Sequence, residues 1–178
     1  HVGSSEFLEM NPAGKIPVIK DGSFVLNESA AIVTYLFERY GAEQSIGQQA
    51  RAKRDALNYF IMTEIDAQSL YIHRKHVGLA SIYGEAPQAV KSAEKYYSKQ
   101  VGVIVGHLES QGTTFLMGEK LSPPDILFGH CLFWGAMIGW NTLQNQKIVQ
   151  YMRALVNRPA FQRAYSNLPP YAQIMASV

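Results

Sequence analysis

Residues 7–36 read FLEMNPAGKIPVIKDGSFVLNESAAIVTYL and contain the clearest structural signals in this chain of 178 residues. Two short apolar runs, 17–19 and 24–26, lie on either side of the dipeptide Asp21-Gly22. Acidic-Gly dipeptides favour tight turns because glycine adopts positive φ without steric cost. The pattern therefore predicts a β-hairpin.

A helix is predicted directly after the hairpin. Apolar residues recur at helical spacing from Ala30 to Phe37, the pattern ends at Tyr40, and Gly41 follows as a C-cap. Two strands and one helix bury too little to be stable alone. The N-terminus has neither an initiator methionine nor a signal-peptide pattern, so we expect a segment upstream of His1 that completes the sheet. Otherwise, this unit must pack against the rest of the chain.

The remainder of the chain is predicted to be helical. A polar linker at 42–47 separates residues 1–41 from residues 48–178, where apolar residues follow helical spacing and no convincing strand pattern occurs. This change of structural class marks a domain boundary. Five helices are predicted, at about 48–76, 86–111, 123–139, 144–156 and 159–166.

One of these helices has a well-specified start, Ser122-Pro123-Pro124-Asp125. Ser122 can cap backbone N–H groups, and Pro123 suits the first helical position. Asp125 is the acidic partner of a capping box.

Composition and charge restrict the expected partners and compartment. Hydrophobic residues make up 47% of the chain, and 16 basic residues against 14 acidic ones give a net charge of +2 without a run of like charges. We therefore expect neither nucleic acid nor a membrane as a partner. The apolar stretch 126–140 is shorter than the roughly 20 residues of a membrane helix. Cys131 is the only cysteine, which is typical of a reducing compartment, so we expect the cytoplasm.

Taken as a unit, residues 7–36 resemble the second half of the thioredoxin-like domain of cytosolic glutathione transferases, especially theta-like and bacterial members. The shared features are an N-P-x-G loop, a lysine before a hydrophobic-Pro pair, an acidic-Gly hairpin, and a Glu-Ser pair that opens a helix. Residues 122–125 and 157–159 also fall where the family has an interior capping box and a late helix start. The resemblance implies an α+β fold: a partial thioredoxin-like N-terminal domain, made of the β-hairpin and a helix, followed by the all-α glutathione-transferase C-terminal domain.

The resemblance also implies a glutathione site at the start of the helix. Glutathione carries two carboxylates and an ammonium group, so its site must supply both anion donors and a cation acceptor. Ser29 at the helix N-terminus can donate its hydroxyl and N–H to a carboxylate, helped by the helix dipole. Glu28 can accept the ammonium group. Alone, this pair would indicate only an ordinary helix N-terminus.

Four further residues belong to the implied glutathione site. The family implies a cis bond between Ile16 and Pro17, which would present the N–H and C=O of Ile16 to the cysteinyl part of glutathione. Lys15 would reach a carboxylate. His1 resembles a histidine that some theta-like members use near the glycyl end, but it lies one residue further from Asn11 than their usual spacing. Pro17 alone would suit the start of any strand.

Activation of the thiol is expected to depend on a residue outside this sequence. In the family, a Tyr, Ser or Cys near the end of the first strand stabilises the glutathione thiolate. No residue of this chain matches that position, so we predict the catalytic residue upstream of His1. Cys131 lies in an apolar helix, where packing is its expected role.

The second substrate is expected against the first long helix of the second domain, whose midpoint lines the electrophile pocket in the family. Tyr59, Met62, Thr63 and Asp66 lie on one helical stripe and are therefore predicted to bind the electrophile. Residues that pack in the core would lie on the same kind of helical stripe, so a core role is the alternative for these four.

Two functions of different classes are consistent with the sequence. The leading hypothesis is an enzyme that adds the glutathione thiolate to a hydrophobic electrophile, or reduces a peroxide or disulfide with it. It would act as a homodimer with glutathione as co-substrate and no metal. The alternative is a non-catalytic protein that uses the same fold for protein interaction or hydrophobic-ligand carriage. The combination of Lys15, Glu28 and Ser29 favours the enzyme.

Overall fold

The computed structural model describes residues 2–41, 46–140 and 144–167. The first range contains the predicted hairpin and helix, preceded by a short helix that the sequence did not predict. In chain order, these elements are α1 (Ser5–Met10), β1 (Val18–Asp21), β2 (Phe24–Asn27) and α2 (Ser29–Tyr40).

The hairpin has the antiparallel register in which Val18 pairs with Asn27 and Asp21 pairs with Phe24. Its two-residue turn contains Gly22 at a φ of +64°, a conformation that favours glycine. The predicted hairpin is therefore confirmed, and its turn uses the predicted glycine.

Asp21 fastens the end of the hairpin to α2. Its carboxylate accepts hydrogen bonds from the hydroxyls of Tyr35 at 2.6 Å and Tyr40 at 2.9 Å, and from Nε of Arg39 at 3.1 Å. These hydrogen bonds, above all that of Tyr35, hold the pKa of Asp21 below its ordinary value. The ionised carboxylate thus links the strand to the helix.

The rest of the described chain is helical, and all five predicted helices are present. A further short helix, α5, was not predicted. The elements are α3 (Gln48–Phe60), a π-helical segment (Ile61–Leu70), α4 (Tyr71–His73), a second π-helical segment (Arg74–Gly78), α5 (Ala80–Tyr83), α6 (Pro87–Gln111), α7 (Pro123–Met137), α8 (Gln146–Val156) and α9 (Pro159–Tyr165). Among the described residues, no helix combines the length and the apolar character needed to cross a bilayer.

The hydrogen bonds of the π-helical segments change the geometry of the first long helix. At the end of the first segment, the N–H of Tyr71 donates to the C=O of Asp66, five residues earlier. Each such turn therefore contains one residue more than an α-helical turn. The side chains that follow Phe60 consequently point in directions that an α-helical spacing does not predict.

The core lies between the helices. Asp125 supports it from the predicted capping box at the start of α7, where its carboxylate accepts from the backbone N–H groups of Ser122 and Leu116, both at 2.8 Å. The hydroxyl of Tyr151 in α8 donates to the same carboxylate at 2.9 Å. The largest fully buried side chains include Tyr97, Phe128, Phe133, Ile61, Ile65, Leu70, Ile104, Leu108, Leu132 and Met152.

Polar contacts hold α2 against α3. The buried Arg54 side chain donates from Nη1 to Glu38 Oε1 at 2.6 Å, and Asn58 Nδ2 donates to Thr34 Oγ1 at 3.1 Å. Because α3 continues into the π-helical segments, these contacts place the start of α2 opposite that part of the long helix.

Candidate functional site

A cleft of about 370 Å³ lies between the N-terminal elements and the long helix, and two sets of residues form its walls. The volume falls in the range of small-molecule sites. One set, here called the loop wall, comes from residues 11–29 and comprises Asn11, Lys15, Ile16, Pro17, Glu28 and Ser29. The other, here called the helix wall, comprises Met62, Asp66, Ala67, Tyr71 and Lys75.

Asn11 organises the loop that begins the loop wall. Its side chain is buried, with Nδ2 donating to the C=O of Lys15 at 2.7 Å and Oδ1 accepting from the N–H of Ala13 at 3.2 Å. Gly14 closes the turn with an N–H···O bond of 2.9 Å to Asn11, at a φ of +63°. These bonds fix the backbone that carries Lys15 into the cleft.

The next part of the loop wall is the dipeptide Ile16-Pro17, whose peptide bond is cis, as the resemblance implied. The Ile16 residue is 73% exposed. Within the described residues, its backbone takes part in neither the β1–β2 pairing nor a turn hydrogen bond. The N–H and C=O of Ile16 can therefore pair with an extended ligand.

The loop wall ends at the junction between β2 and α2. Glu28 is the N-cap residue and has a φ of +69°, a conformation that costs a non-glycine residue about 1 to 3 kcal/mol. Ser29 begins the 12-residue helix directly after it. A carboxylate acceptor and the positive end of a helix dipole therefore lie side by side in the cleft.

The most buried polar group of the helix wall is Asp66, which is only 8% exposed. Burial raises the pKa of its carboxyl to about 6, against the lowering effect of the Arg74 charge. Along the same wall, the Tyr71 ring packs edge-on against Trp134 and beneath the guanidinium of Arg74, 5.3 Å from the ring centre. The helix wall therefore contains polar as well as apolar side chains.

The cleft brings together most of the sequence-predicted residues, but not all of them. Met62 and Asp66 line the cleft opposite the loop wall. Tyr59 is 67% exposed and lines a separate groove between α2 and α3. Thr63 is exposed and donates its hydroxyl to the C=O of Tyr59 at 2.9 Å. His1 lies outside the described residues.

Sequence reasoning did not identify four residues that line the cleft: Asn11, Ala67, Tyr71 and Lys75. The N-P-x-G loop contained a signal for Asn11, because an Asn before Pro often bonds its own loop backbone. Tyr71 follows Asp66 by five residues, which matches a π-helical turn, and Lys75 follows Tyr71 by four. Local sequence does not reveal such a turn.

Three other titratable side chains, Cys131, His73 and His76, contact other parts of the fold. Cys131 is fully packed in α7, and burial raises the pKa of its thiol well above the ordinary value. His73 packs edge-on against Trp140, and Nδ1 of His76 lies 2.9 Å from the C=O of Gly84. Within the described ranges, no three metal-ligating side chains come together.

Two family models match the chain. The model of the glutathione S-transferase N-terminal domain matches residues 1–44, and the model of the C-terminal domain matches residues 30–159. These matches overlap at α2 and cover both walls of the cleft.

Curated relatives belong to two groups. Glutathione S-transferase-like protein OpS6 from Beauveria bassiana is 30% identical over 128 residues, which are 68% of this chain and 57% of the relative. Elongation factor 1-gamma from Prunus avium is 29% identical over 168 residues, which are 92% of this chain and 39% of the relative. The chain thus spans less than two thirds of either relative.

Solved structures agree on the fold. A glutathione transferase homologue from Lodderomyces elongisporus, solved with two glutathione molecules per subunit, has a TM-score of 0.79 at 19% identity and covers 94% of this chain and 82% of its own. A delta-class glutathione transferase from Nilaparvata lugens has a TM-score of 0.77 at 23% identity, covering 99% and 82%. At these identities, the likeness shows the fold alone.

Proposed function

The chain belongs to the glutathione S-transferase family, and from that premise we propose that its cleft binds glutathione and presents the thiolate to a hydrophobic electrophile. The observation that supports this proposal most directly is the placement of Lys15, Ile16, Pro17, Glu28 and Ser29 along one wall of one cleft. These residues come from two separate stretches of sequence, 15–17 and 28–29, and their proposed roles in binding a tripeptide are complementary.

Each end of glutathione has a matching group on the loop wall. The γ-glutamyl ammonium would pair with Glu28, and its carboxylate would accept from the hydroxyl and N–H of Ser29 at the positive end of α2. The cysteinyl backbone would pair with Ile16 as an added strand. Lys15 would hold the glycyl carboxylate. In this pose, the sulfur would face the helix wall.

The helix wall would hold the second substrate. Met62 supplies an adaptable apolar surface and Asp66 a polar group. Bringing the electrophile and the thiolate together in one cleft accelerates addition by positioning alone. Tyr59 and Thr63 lie outside this cleft, and the proposal gives them no role in it.

A second candidate function is a non-catalytic one, because the relatives include elongation factor 1-gamma. A protein used only as an interaction or ligand-carrying module has no need for a complete tripeptide site. The combined presence of Lys15, Glu28 and Ser29 therefore supports the enzyme. Turnover of glutathione by the full protein distinguishes the two functions.

We also propose that the protein works in the cytoplasm as a homodimer, with glutathione as co-substrate and no metal. Detoxification of electrophiles or reduction of peroxides and disulfides would be consistent with such a site. Neither nucleic acid nor a membrane is proposed as a partner.

The test of glutathione binding is retention on immobilised glutathione. Glu28→Ala and Ser29→Ala each remove a charge-assisted contact, so we expect each to weaken binding by about ten-fold or more. Tyr59→Ala is the matched control on the neighbouring helix and should be retained like the wild type. Equal retention of all three variants would remove the basis for the site.

A further inference from the structure

The last residue of the helix wall carries a positive charge that the proposed glutathione site does not use. In the described part of the chain, the charged residues that line the cleft are Lys15, Glu28, Asp66 and Lys75. Lys15 and Glu28 have proposed partners on glutathione, namely the glycyl carboxylate and the γ-glutamyl ammonium. Lys75, on the opposite wall, is therefore the cation that remains for the second substrate.

The ammonium group of Lys75 is open to an incoming anion. The residue is exposed and, within the described ranges, its side chain forms neither a hydrogen bond nor an ion pair. Nζ lies 6.0 Å from the centre of the Tyr83 ring, at the outer limit of a cation–π contact. A lysine ammonium has three N–H donors, so an anion can bind here without displacing a hydrogen bond of the fold.

An aromatic ring lies next to this ammonium on the same face of the long helix. Tyr71 precedes Lys75 by four residues, which places the two side chains about one helical turn apart, and both line the cleft. The Tyr71 ring is half-buried and packs edge-on against Trp134, which holds it in place. A flat apolar group can pack against this ring while a carboxylate on the same group contacts Lys75.

We propose that Lys75 selects second substrates that carry a carboxylate, and that the aromatic part of such a substrate lies against Tyr71. This inference rests on the proposed function, since it requires a glutathione thiolate on the loop wall. It adds a substrate class to that function: electrophiles that combine an aromatic ring with a carboxylate.

The charges of the cleft explain why a carboxylate would be preferred to a neutral group. A ligand that covers Lys75 removes water from the ammonium, and a neutral ligand offers no charge in return. A carboxylate replaces the lost water with a charge-assisted hydrogen bond. Discrimination therefore arises both from attraction of the anionic substrate and from the cost of covering the ammonium with a neutral one.

The experiment compares two electrophiles on the full protein: 4-chloro-3,5-dinitrobenzoate, which is an anion, and its neutral methyl ester. In both, the glutathione sulfur bonds to the ring carbon, and chloride leaves with the electron pair of the C–Cl bond. At saturating glutathione, the ratio of their kcat/KM values cancels changes in glutathione binding and in thiol ionisation. The intrinsic reactivities of the two compounds differ, but that difference is the same for every variant.

We expect Lys75→Met to lower the ratio of anion to ester about ten-fold, chiefly by raising the KM of the anion. Lys75→Arg keeps the charge and should stay within about three-fold of the wild type. The control is Lys53→Met, the same substitution at an exposed position of α3, which should leave the ratio unchanged. An unchanged ratio in Lys75→Met overturns the proposal, including the case in which both substrates lose activity equally.

Binding of the two glutathione conjugates, measured by titration calorimetry, tests the same contact without turnover. Lys75→Met should weaken the conjugate with the carboxylate about ten-fold and the ester conjugate by less than about two-fold. Equal weakening of both conjugates would overturn the selection by Lys75 alone. If the wild type binds neither conjugate and is not retained on immobilised glutathione, the proposed function fails, and this inference fails with it.

Discussion

Residues 2–41 and the helical region (46–140 and 144–167) contribute to the cleft in different ways. Within residues 2–41, only Asn11 and Ile32 are buried, and the loop wall is shaped by a turn, a cis bond and a positive φ. The helical region contains the apolar core, and the helix wall is one face of that packed structure. The apolar core and the loop wall are thus made of different residues, so substitutions should separate stability from the proposed glutathione binding.

The largest effect on stability is expected from Asp125→Ala in the helical region. The change leaves the N–H groups of Leu116 and Ser122 and the hydroxyl of Tyr151 without their buried acceptor. Each unsatisfied group costs about 1 to 3 kcal/mol, so we expect a loss of about 3 to 5 kcal/mol in urea unfolding. Glu109→Ala, at an exposed site on α6, should change stability by less than about 0.5 kcal/mol. A loss below 1 kcal/mol for Asp125→Ala would contradict this account of the core.

A pair of glycine substitutions tests the packing behind the helix wall. A Cβ on Gly135 of α7 would lie 2.2 Å from the hydroxyl oxygen of Tyr97, whereas one on Gly106 of α6 would meet nothing within 4 Å. Gly135→Ala should therefore destabilise the protein by about 1 to 3 kcal/mol. Gly106→Ala should stabilise it by up to about 1 kcal/mol, because alanine is the better helix former. Thermal unfolding measures both changes in stability. Changes of the same sign in the two variants would contradict this packing.

Asn11→Ala, in the loop wall, should lower stability only modestly but weaken glutathione binding strongly. It removes the bonds to Lys15 and Ala13 that shape the loop wall, with a loss of about 1 to 2 kcal/mol in stability. Glutathione affinity should fall by about ten-fold or more, because Lys15 and Ile16 lose their fixed positions. Calorimetry and unfolding on the same sample measure both quantities. Unchanged affinity would show that the loop does not position the ligand.

The smallest effect is expected from Asp21→Asn at the end of the hairpin. The folded pKa of Asp21 lies below its ordinary value of 3.8, so its stabilising contribution is present above that pH and is lost as pH falls through the folded pKa. The variant should melt slightly below the wild type at neutral pH, and the difference should disappear in acid. A difference that persists in acid would mean that the hydrogen bonds from Tyr35 and Tyr40 do not depend on the charge.

The sequence predicted those parts of the molecule that depend on local chemistry. The hairpin turn at Gly22 and the capping box at Ser122 each follow from a few adjacent residues. Helix α1 was missed because six residues are too few to show helical periodicity.

The sequence predicted the helix wall only in part. The physical reason differs from the one that concealed α1. An α-helical spacing places Tyr59, Met62, Thr63 and Asp66 on one stripe, but the π-helical turns after Phe60 shift that stripe. The turns depend on packing between helices, which short sequence windows do not encode. Tyr71 was missed for the same reason.

The most direct test of the central claim is the Kd for glutathione, measured by titration calorimetry on Ser29→Ala and Asp66→Asn. Ser29 belongs to the loop wall and Asp66 to the helix wall. We expect Ser29→Ala to weaken glutathione binding by about ten-fold or more, and Asp66→Asn to change it by less than about three-fold. Equal losses in the two variants, or a larger loss in Asp66→Asn, would contradict the division of the cleft into a glutathione wall and a second-substrate wall.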